Sequence, residues 1–184
     1  MRRRDLLAGL GSVGVLASAG AAAVYGVPSV SELLEDDEGE MRHDPVSIQT
    51  IEATGSEAGE ITVPDENQVI FVDLFATDCS PCQAQMPDLR EAHDRLGDRV
   101  QFISVTNQSK EVVDDDDIAE WWDEYDANWT VGRDSTSDLI VHYGAGTPIG
   151  LAFDSAGYLR WEESGQKTTD QVVTELEAIL EGDE

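Results

Sequence analysis

Apolar positions along the chain fall into two patterns, one typical of buried strands and one typical of amphipathic helices. Predominantly apolar stretches at Gln68–Ala76 and Val100–Val105 predict strands that are covered on both faces. Shorter apolar segments between turn-forming residues predict further strands. We place these at Val46–Ile51, Ile61–Val63, Trp129–Val131, Ile149–Phe153 and Tyr158–Trp161.

Helices are predicted where apolar residues recur every three or four positions. The longest is Ser80–Leu96, in which Pro87 predicts a kink and Gly97 supplies a stop. Shorter helices are predicted at Ile118–Tyr125, Asp138–Tyr143 and Thr168–Leu180. Strands and helices alternate before a final hairpin and helix. We therefore expect an α/β fold with a central mixed β-sheet and helices on both faces.

The first 28 residues differ in character from the rest of the chain. Three arginines at positions 2–4 precede a run without charge from Leu6 to Ser31, and Arg3-Arg4-Asp5-Leu6-Leu7 fits the twin-arginine export pattern. We expect residues 1–28 to be an export signal or a membrane anchor, and the pattern leaves cleavage and retention equally open. Residues 29–45 are predicted to be an acidic linker, and residues 46–184 the folded domain.

Acidic residues dominate the charge: 39 Asp and Glu against 11 Lys and Arg give a net charge of −28 over 184 residues. The acids are scattered along the chain, which is typical of proteins from salt-in halophiles; a basic partner or a metal-rich surface is the alternative. Nucleic-acid binding is disfavoured because phosphate contacts need a basic face. Four aspartates at positions 114–117 are expected to cap a helix, with a calcium loop as the alternative.

Candidate chemistry centres on the only two cysteines, Cys79 and Cys82, at the predicted start of the first helix. Three positions apart on a helix, they face the same way and can form a disulfide. The helix N-terminus stabilises the thiolate of the first cysteine, and the second lies one turn deeper. This predicts that Cys79 attacks a partner disulfide and that Cys82 resolves the product. A purely structural disulfide is disfavoured, since so small a loop stabilises little.

Asp73 is the second candidate, because it lies within the apolar run Gln68–Ala76. Burying a carboxylate there is unfavourable and should raise its pKa, which would let Asp73 exchange a proton near neutral pH. The alternative is that Asp73 pairs with a base or lies at a solvated strand end.

These patterns together resemble the thioredoxin superfamily, and more narrowly its exported TlpA/ResA-like thiol-disulfide oxidoreductases. The residues that carry the resemblance are Val72–Cys82, then Pro87, then Gly146-Thr147-Pro148, in the order found in the family. The resemblance covers about residues 46–181 and implies a thioredoxin-like fold. The helix expected around Trp121 resembles the insertion of the TlpA/ResA group.

The resemblance also implies roles for individual residues. Cys79 matches the attacking cysteine and Cys82 the resolving cysteine, while Asp73 matches the buried acid that serves Cys82. Thr147 and Pro148 match the cis-proline loop that faces the dithiol and binds the substrate backbone. No cofactor is implied. The expected partners are cysteine-containing exported proteins and an upstream thiol reductant, outside the cytoplasm and either membrane-anchored or secreted.

Asp78 departs from the family pattern, which usually has Trp immediately before the first cysteine. A carboxylate beside Cys79 should oppose its thiolate and raise the pKa of the thiol. The neighbouring Ser80 and Pro81 supply no cation. We therefore expect a modestly activated thiol and a reductase rather than a strong oxidant.

Two other functions stay open at this point. A non-enzymatic metal-handling module for copper or zinc would use the cysteines with His43, His93 or His142, none of which has ligand spacing to another. We expect no metal site and interpret these histidines as surface or packing residues. A peroxidase role would need a threonine-bearing loop and a differently placed cysteine, and Thr77 gives it only weak support.

Overall fold

The structure, a computed structural model, describes residues 44–143 and 146–183. The strands are β1 (Val46–Thr50), β2 (Gly59–Val63), β3 (Val69–Leu74), β4 (Val100–Thr106), β5 (Thr130–Arg133), β6 (Ile149–Phe153) and β7 (Leu159–Ser164). The helices are α1 (Ser80–Leu96), α2 (Asp115–Glu124), α3 (Asp138–Tyr143) and α4 (Thr169–Gly182). Each element predicted from the sequence is present, with differences at its ends.

The strands form one sheet in the order β2-β1-β5-β4-β3-β6-β7. The strand β3 lies near its centre, parallel to β4 and antiparallel to β6. The unit β3-α1-β4 is thus a parallel strand–helix–strand crossover, and the sheet is mixed as expected. All six residues of β3 are buried, in agreement with the predominantly apolar stretch in which it lies.

Two apolar clusters cover the two faces of the sheet. Side chains alternate between faces along a strand, so Phe71 and Phe75 join the cluster that includes α1, α2 and α4, while Val72 and Leu74 join the cluster that includes α3. By the same alternation, Asp73 projects to the face that α1 covers. The carboxyl group of Asp73 therefore lies between the sheet and α1, the helix whose N-terminus carries the two cysteines.

Three of the four tryptophans lie in the core, as expected from their usual burial. Trp121, Trp122 and Trp129 are buried, and Trp121 stacks on Phe75 with ring centroids 5.1 Å apart. Because Trp121 and Trp122 belong to α2, the helix inserted between β4 and β5 is anchored in the main core and does not lie loosely on the surface.

The start of α2 corrects one prediction. The sequence placed this helix from Ile118, but α2 begins at Asp115, with Asp114 as its N-cap. The Asp114 carboxylate accepts from the Asp117 backbone N–H at 2.9 Å, and the Asp117 side chain accepts from the Asp114 N–H at 3.2 Å. The aspartates therefore lie in the first turn, where acidic side chains meet the positive end of the helix dipole. Their capping role, predicted from the sequence, is confirmed.

The predicted N-terminal segments lie outside the described residues: the export signal or anchor at 1–28, and all but the last two residues of the linker at 29–45. Within residues 44–143 and 146–183, no helix is long and apolar enough to cross a membrane.

Candidate functional site

The N-terminus of α1 carries a disulfide between Cys79 and Cys82, whose Cα atoms are 5.2 Å apart. Cys79 is the N-cap and is partly exposed, whereas Cys82, one turn into the helix, is fully buried. The backbone N–H of Cys82 points at the sulfur of Cys79, with 3.2 Å between N and Sγ. A helix-terminal N–H stabilises negative charge at such a position. The more exposed of the two cysteines is thus the one whose sulfur the helix can hold as a thiolate.

A second segment approaches the same sulfur. The carbonyl oxygen of Thr147 lies 3.4 Å from Cys79 Sγ, although the two residues are 68 positions apart in sequence. The Thr147–Pro148 peptide bond is cis, the isomer that the resemblance implied. The Pro148 carbonyl accepts from the Gly165 N–H at 2.8 Å, which ties the loop to the residues after β7. A thiol at Cys79 would have the Thr147 carbonyl as an acceptor within reach.

The loop that leads into Cys79 is held by Gln108, which follows β4. The Gln108 side-chain oxygen accepts from the Thr77 N–H at 2.9 Å and from the Thr77 hydroxyl at 3.2 Å. Its amide nitrogen donates to the exposed carboxylate of Asp78 at 3.4 Å. The buried guanidinium of Arg133 donates to the main-chain oxygen of Gln108. The orientation of Asp78 beside the dithiol therefore depends on residues that the sequence reading did not single out.

Asp73 is buried in β3, with 1% of its surface exposed. Gln85 of α1 donates to Asp73 Oδ1 at 2.7 Å, and the Ser104 hydroxyl of β4 lies 3.5 Å from Oδ2. Burial raises the pKa of Asp73 from 3.8 to about 6, while the nearby Lys167 ammonium and the two hydrogen bonds lower it in part. The carboxyl group can therefore gain or lose a proton close to neutral pH.

The surroundings of Asp73 bear on its alternative roles. A solvated strand end is wrong, because the group lies within β3 and is buried. A base is present nearby: Lys167 acts on Asp73 as a cation, and Lys167 itself is fully buried. Burial outweighs this attraction, so the pKa of Asp73 stays above its usual value.

Gln85, Ser104 and Lys167 were not identified from the sequence. A signal existed for Gln85, since it lies three positions after Cys82 on the face of α1 that also buries Met86 and Leu89. A polar side chain on an apolar helix face needs a buried partner. No comparable pattern marks Lys167, which lies in a polar connection between β7 and α4.

The histidines behave as the sequence suggested where the structure describes them. The ring of His93 packs against Phe102 and Trp129, with centroids 5.3 and 5.5 Å apart, and His142 is exposed near the end of α3. His43 lies outside the described residues. Among the residues described, no group of three or more His, Cys, Asp or Glu side chains is arranged to hold a metal ion.

Comparison with known proteins places the chain in a family. The AhpC/TSA family model matches residues 47–162. The chain belongs to the AhpC/TSA family. Thiol-disulfide oxidoreductase ResA of Bacillus thuringiensis subsp. konkukian is 26% identical over 129 residues, which cover 68% of this chain and 72% of that protein. Chloroplastic thioredoxin Y of Oryza sativa subsp. japonica is 34% identical over 61 residues, but these cover only 36% of its length.

Solved structures show the same fold. StoA from Bacillus subtilis aligns with a TM-score of 0.59 at 18% identity, over 72% of this chain and 96% of StoA. A protein from Chlorobium tepidum described as a thiol:disulfide interchange protein DsbE aligns with a TM-score of 0.60 at 19% identity, over 77% of this chain and 99% of that one. The thioredoxin-like fold and the resemblance to ResA-like proteins, both predicted from the sequence, are confirmed. The comparisons also support the predicted enzyme class, protein-disulfide oxidoreductase.

Proposed function

We propose that the chain is an extracytoplasmic thiol-disulfide oxidoreductase that exchanges its Cys79–Cys82 pair with cysteines of other exported proteins. One observation carries the proposal. Cys79 is partly exposed and its sulfur contacts both the N-terminus of α1 and the Thr147 carbonyl, while Cys82 is buried one turn into the helix. A structural disulfide gains nothing from such an arrangement, whereas an attacking and a resolving thiol need it.

The reaction begins with the reduced pair. The Cys79 thiolate, stabilised by the Cys82 N–H, attacks one sulfur of a partner disulfide. A bond forms between Cys79 and the partner, the partner's S–S bond breaks, and its second sulfur leaves as a thiolate. The loop at Thr147 and Pro148 is the surface against which we place the partner's backbone, because it flanks the attacking sulfur of Cys79.

Cys82 completes the exchange. The Asp73 carboxylate takes the proton of the Cys82 thiol, and the resulting thiolate attacks Cys79 Sγ. The mixed disulfide breaks, the Cys79–Cys82 disulfide forms, and the partner leaves with both sulfurs reduced. Two electrons pass from the protein to the partner, and an upstream thiol reductant returns them. No cofactor takes part in these steps.

The direction we assign is reduction of partners. The exposed Asp78 carboxylate is adjacent to Cys79 and disfavours its thiolate, and a less stable thiolate makes the dithiol form a better electron donor. The twin-arginine pattern at residues 3–7 supports export, and the net charge of −28 supports a saline environment.

The test is reduction of insulin disulfides by the purified full chain with a dithiol reductant present. We expect turnover in the wild type and none in Cys79→Ser. Cys82→Ser should instead retain partners as mixed disulfides through Cys79, recoverable with reductant. Undiminished reductase activity in Cys79→Ser would overturn the assignment. Retention of copper or zinc through purification, without reductase activity, would favour the metal-handling alternative.

A further inference from the structure

Lys167 is a buried lysine that takes no part in the exchange steps proposed for the dithiol. It has no solvent exposure and is one of only two lysines in the chain. Lysine is almost never fully buried without a partner, because an ammonium loses its hydration there. Such a residue in a strongly acidic protein, which has abundant surface positions for a cation, points to a specific use.

The sheet leaves space for the Lys167 side chain at Gly150. Gly150 in β6 is the direct cross-strand neighbour of Asp73 in β3. A Cβ atom on Gly150 would lie 2.8 Å from Lys167 Cδ and 3.0 Å from Cε, so the methylenes of Lys167 occupy the volume that a side chain would take. Directly opposed residues of an antiparallel pair project to the same face. The methylenes of Lys167 therefore lie over Gly150, next to Asp73, on the face of the sheet that α1 covers.

Gln85 joins the two residues from the helix side. Its amide nitrogen donates to Asp73 Oδ1 at 2.7 Å, while its side-chain oxygen lies 3.3 Å from the backbone N of Lys167, which donates to it. The other end of Lys167 is held as well, since Nζ donates to the Gly165 carbonyl at 2.7 Å. Lys167 is thus held by hydrogen bonds at its backbone nitrogen and at its ammonium group.

Few other charges lie around this pair. The neighbours of Asp73 from β4 and α1 are the neutral Ser104 and Gln85, and Gly150 of β6 has no side chain. Cys82 of α1 adds a titratable thiol in the reduced protein. Lys167 is the cation that acts on Asp73, and Glu163 of β7 is the second carboxylate that acts on Lys167.

We propose that Lys167 is a positioning residue that acts through Asp73: its buried ammonium stabilises the Asp73 carboxylate and so sets the pH above which Asp73 can accept the Cys82 proton. This inference rests on the proposed function for the proton transfer, but the Lys167–Asp73 interaction stands without it. Without the ammonium, burial would keep the carboxyl group protonated to higher pH. A protonated Asp73 has no site for the thiol proton.

The first test reads Asp73 directly in the oxidised protein. Carboxyl ¹³C NMR titration, with Asp73→Asn to assign the resonance, should give a pKa of about 6 in the wild type. In Lys167→Met we expect the pKa to rise by about one to three units, the usual effect of one close opposite charge. Lys110→Met is the matched control: it removes the other lysine, an exposed partner of Asp115, and should leave the Asp73 pKa unchanged.

Two further variants separate charge from packing. Lys167→Arg keeps a cation and should hold the Asp73 pKa near the wild-type value. Gly150→Ala keeps Lys167 but places a methyl group where its methylenes lie, so it should displace the ammonium and raise the pKa. If Lys167→Met does not fold, Gly150→Ala carries the test. If Lys167→Met folds and its Asp73 pKa equals that of the wild type, the proposal is overturned. If only Gly150→Ala folds, an unchanged Asp73 pKa in that variant overturns it.

The second test concerns the exchange itself. In Lys167→Met, the acid limb of the pH profile for insulin reduction should move upward by the same number of units as the Asp73 pKa. An upward pKa shift with an unmoved activity profile would overturn the role of Lys167 in the exchange. Absence of insulin reduction in the wild type would count against the proposed function alone, because the NMR titration uses the oxidised protein and needs no turnover.

Discussion

The amide of Gln85 donates a 2.7 Å hydrogen bond to the carboxyl group of Asp73, and both side chains are buried between β3 and α1. This contact joins the strand before the dithiol to the helix that carries it. A neutral donor stabilises a carboxylate less than a full positive charge does. The bond therefore satisfies a buried polar group without forcing it to ionise, and it leaves the pKa of Asp73 in a range useful for proton exchange.

The first prediction concerns stability and pH. The pKa of Asp73 rises from 3.8 to about 6 on folding, so between these values the folded protein binds more protons than the unfolded chain. The free energy of unfolding must then fall as pH rises through this window. Relative to Asp73→Asn, the oxidised wild type should lose about 1.4 kcal/mol between pH 5 and pH 7.5. Urea unfolding at both pH values measures the difference, and parallel behaviour of the two proteins would contradict it.

The second prediction concerns the reactivity of Cys79. Replacing the Asp78 carboxylate by the neutral amide in Asp78→Asn should favour the thiolate. We expect alkylation of Cys79 by iodoacetamide at pH 7 to become about two- to fivefold faster, with a smaller effect at high salt because Asp78 is exposed. Asp94→Asn, at an exposed acid further along α1, is the control and should leave the rate unchanged. Equal rates in wild type and Asp78→Asn would remove the basis for the assigned direction.

The third prediction concerns the anchoring of α2. Asp114→Ala removes the N-cap and should cost about 1 kcal/mol of stability, measured by chemical denaturation. Asp116→Ala removes an acid of the same charge from the same helical turn, but the capping bonds of α2 are made by Asp114 and Asp117. A comparable loss in both variants would indicate that charge at the helix dipole matters and the cap does not.

The fourth prediction follows from the net charge of −28. Screening of the acidic surface should raise the thermal midpoint by about 4 °C as KCl increases from 0.1 to 0.5 M, equivalent to about 1 kcal/mol for a domain of this size. Tryptophan fluorescence can follow the transition. A rise confined to concentrations above about 1 M would point instead to exclusion of ions from the surface.

Much of the fold could be predicted because the sequence signals are local. The predominantly apolar residues of β3 mark a strand covered on both faces, and the spacing of Met86, Leu89 and Leu96 marks the inward face of α1. The ends of elements were less predictable. The aspartates before Ile118 carry no hydrophobic period, and only their hydrogen bonds show that they belong to the first turn of α2.

The sequence alone determined the dithiol, since two cysteines three positions apart at a helix start leave little choice of geometry, and it placed Asp73 inside a buried strand. Only the tertiary structure brought Thr147 to Cys79 and Lys167 to Asp73. These residues are far apart in sequence, so no local sequence pattern predicts that they are neighbours. The physical reason is that a pKa depends on burial and on charges nearby in space. The fold assembles the surroundings of Asp73 from α1, from strands β4 and β6, and from the connection before α4. That connection carries Lys167, whose side chain fits there because Gly150 leaves room.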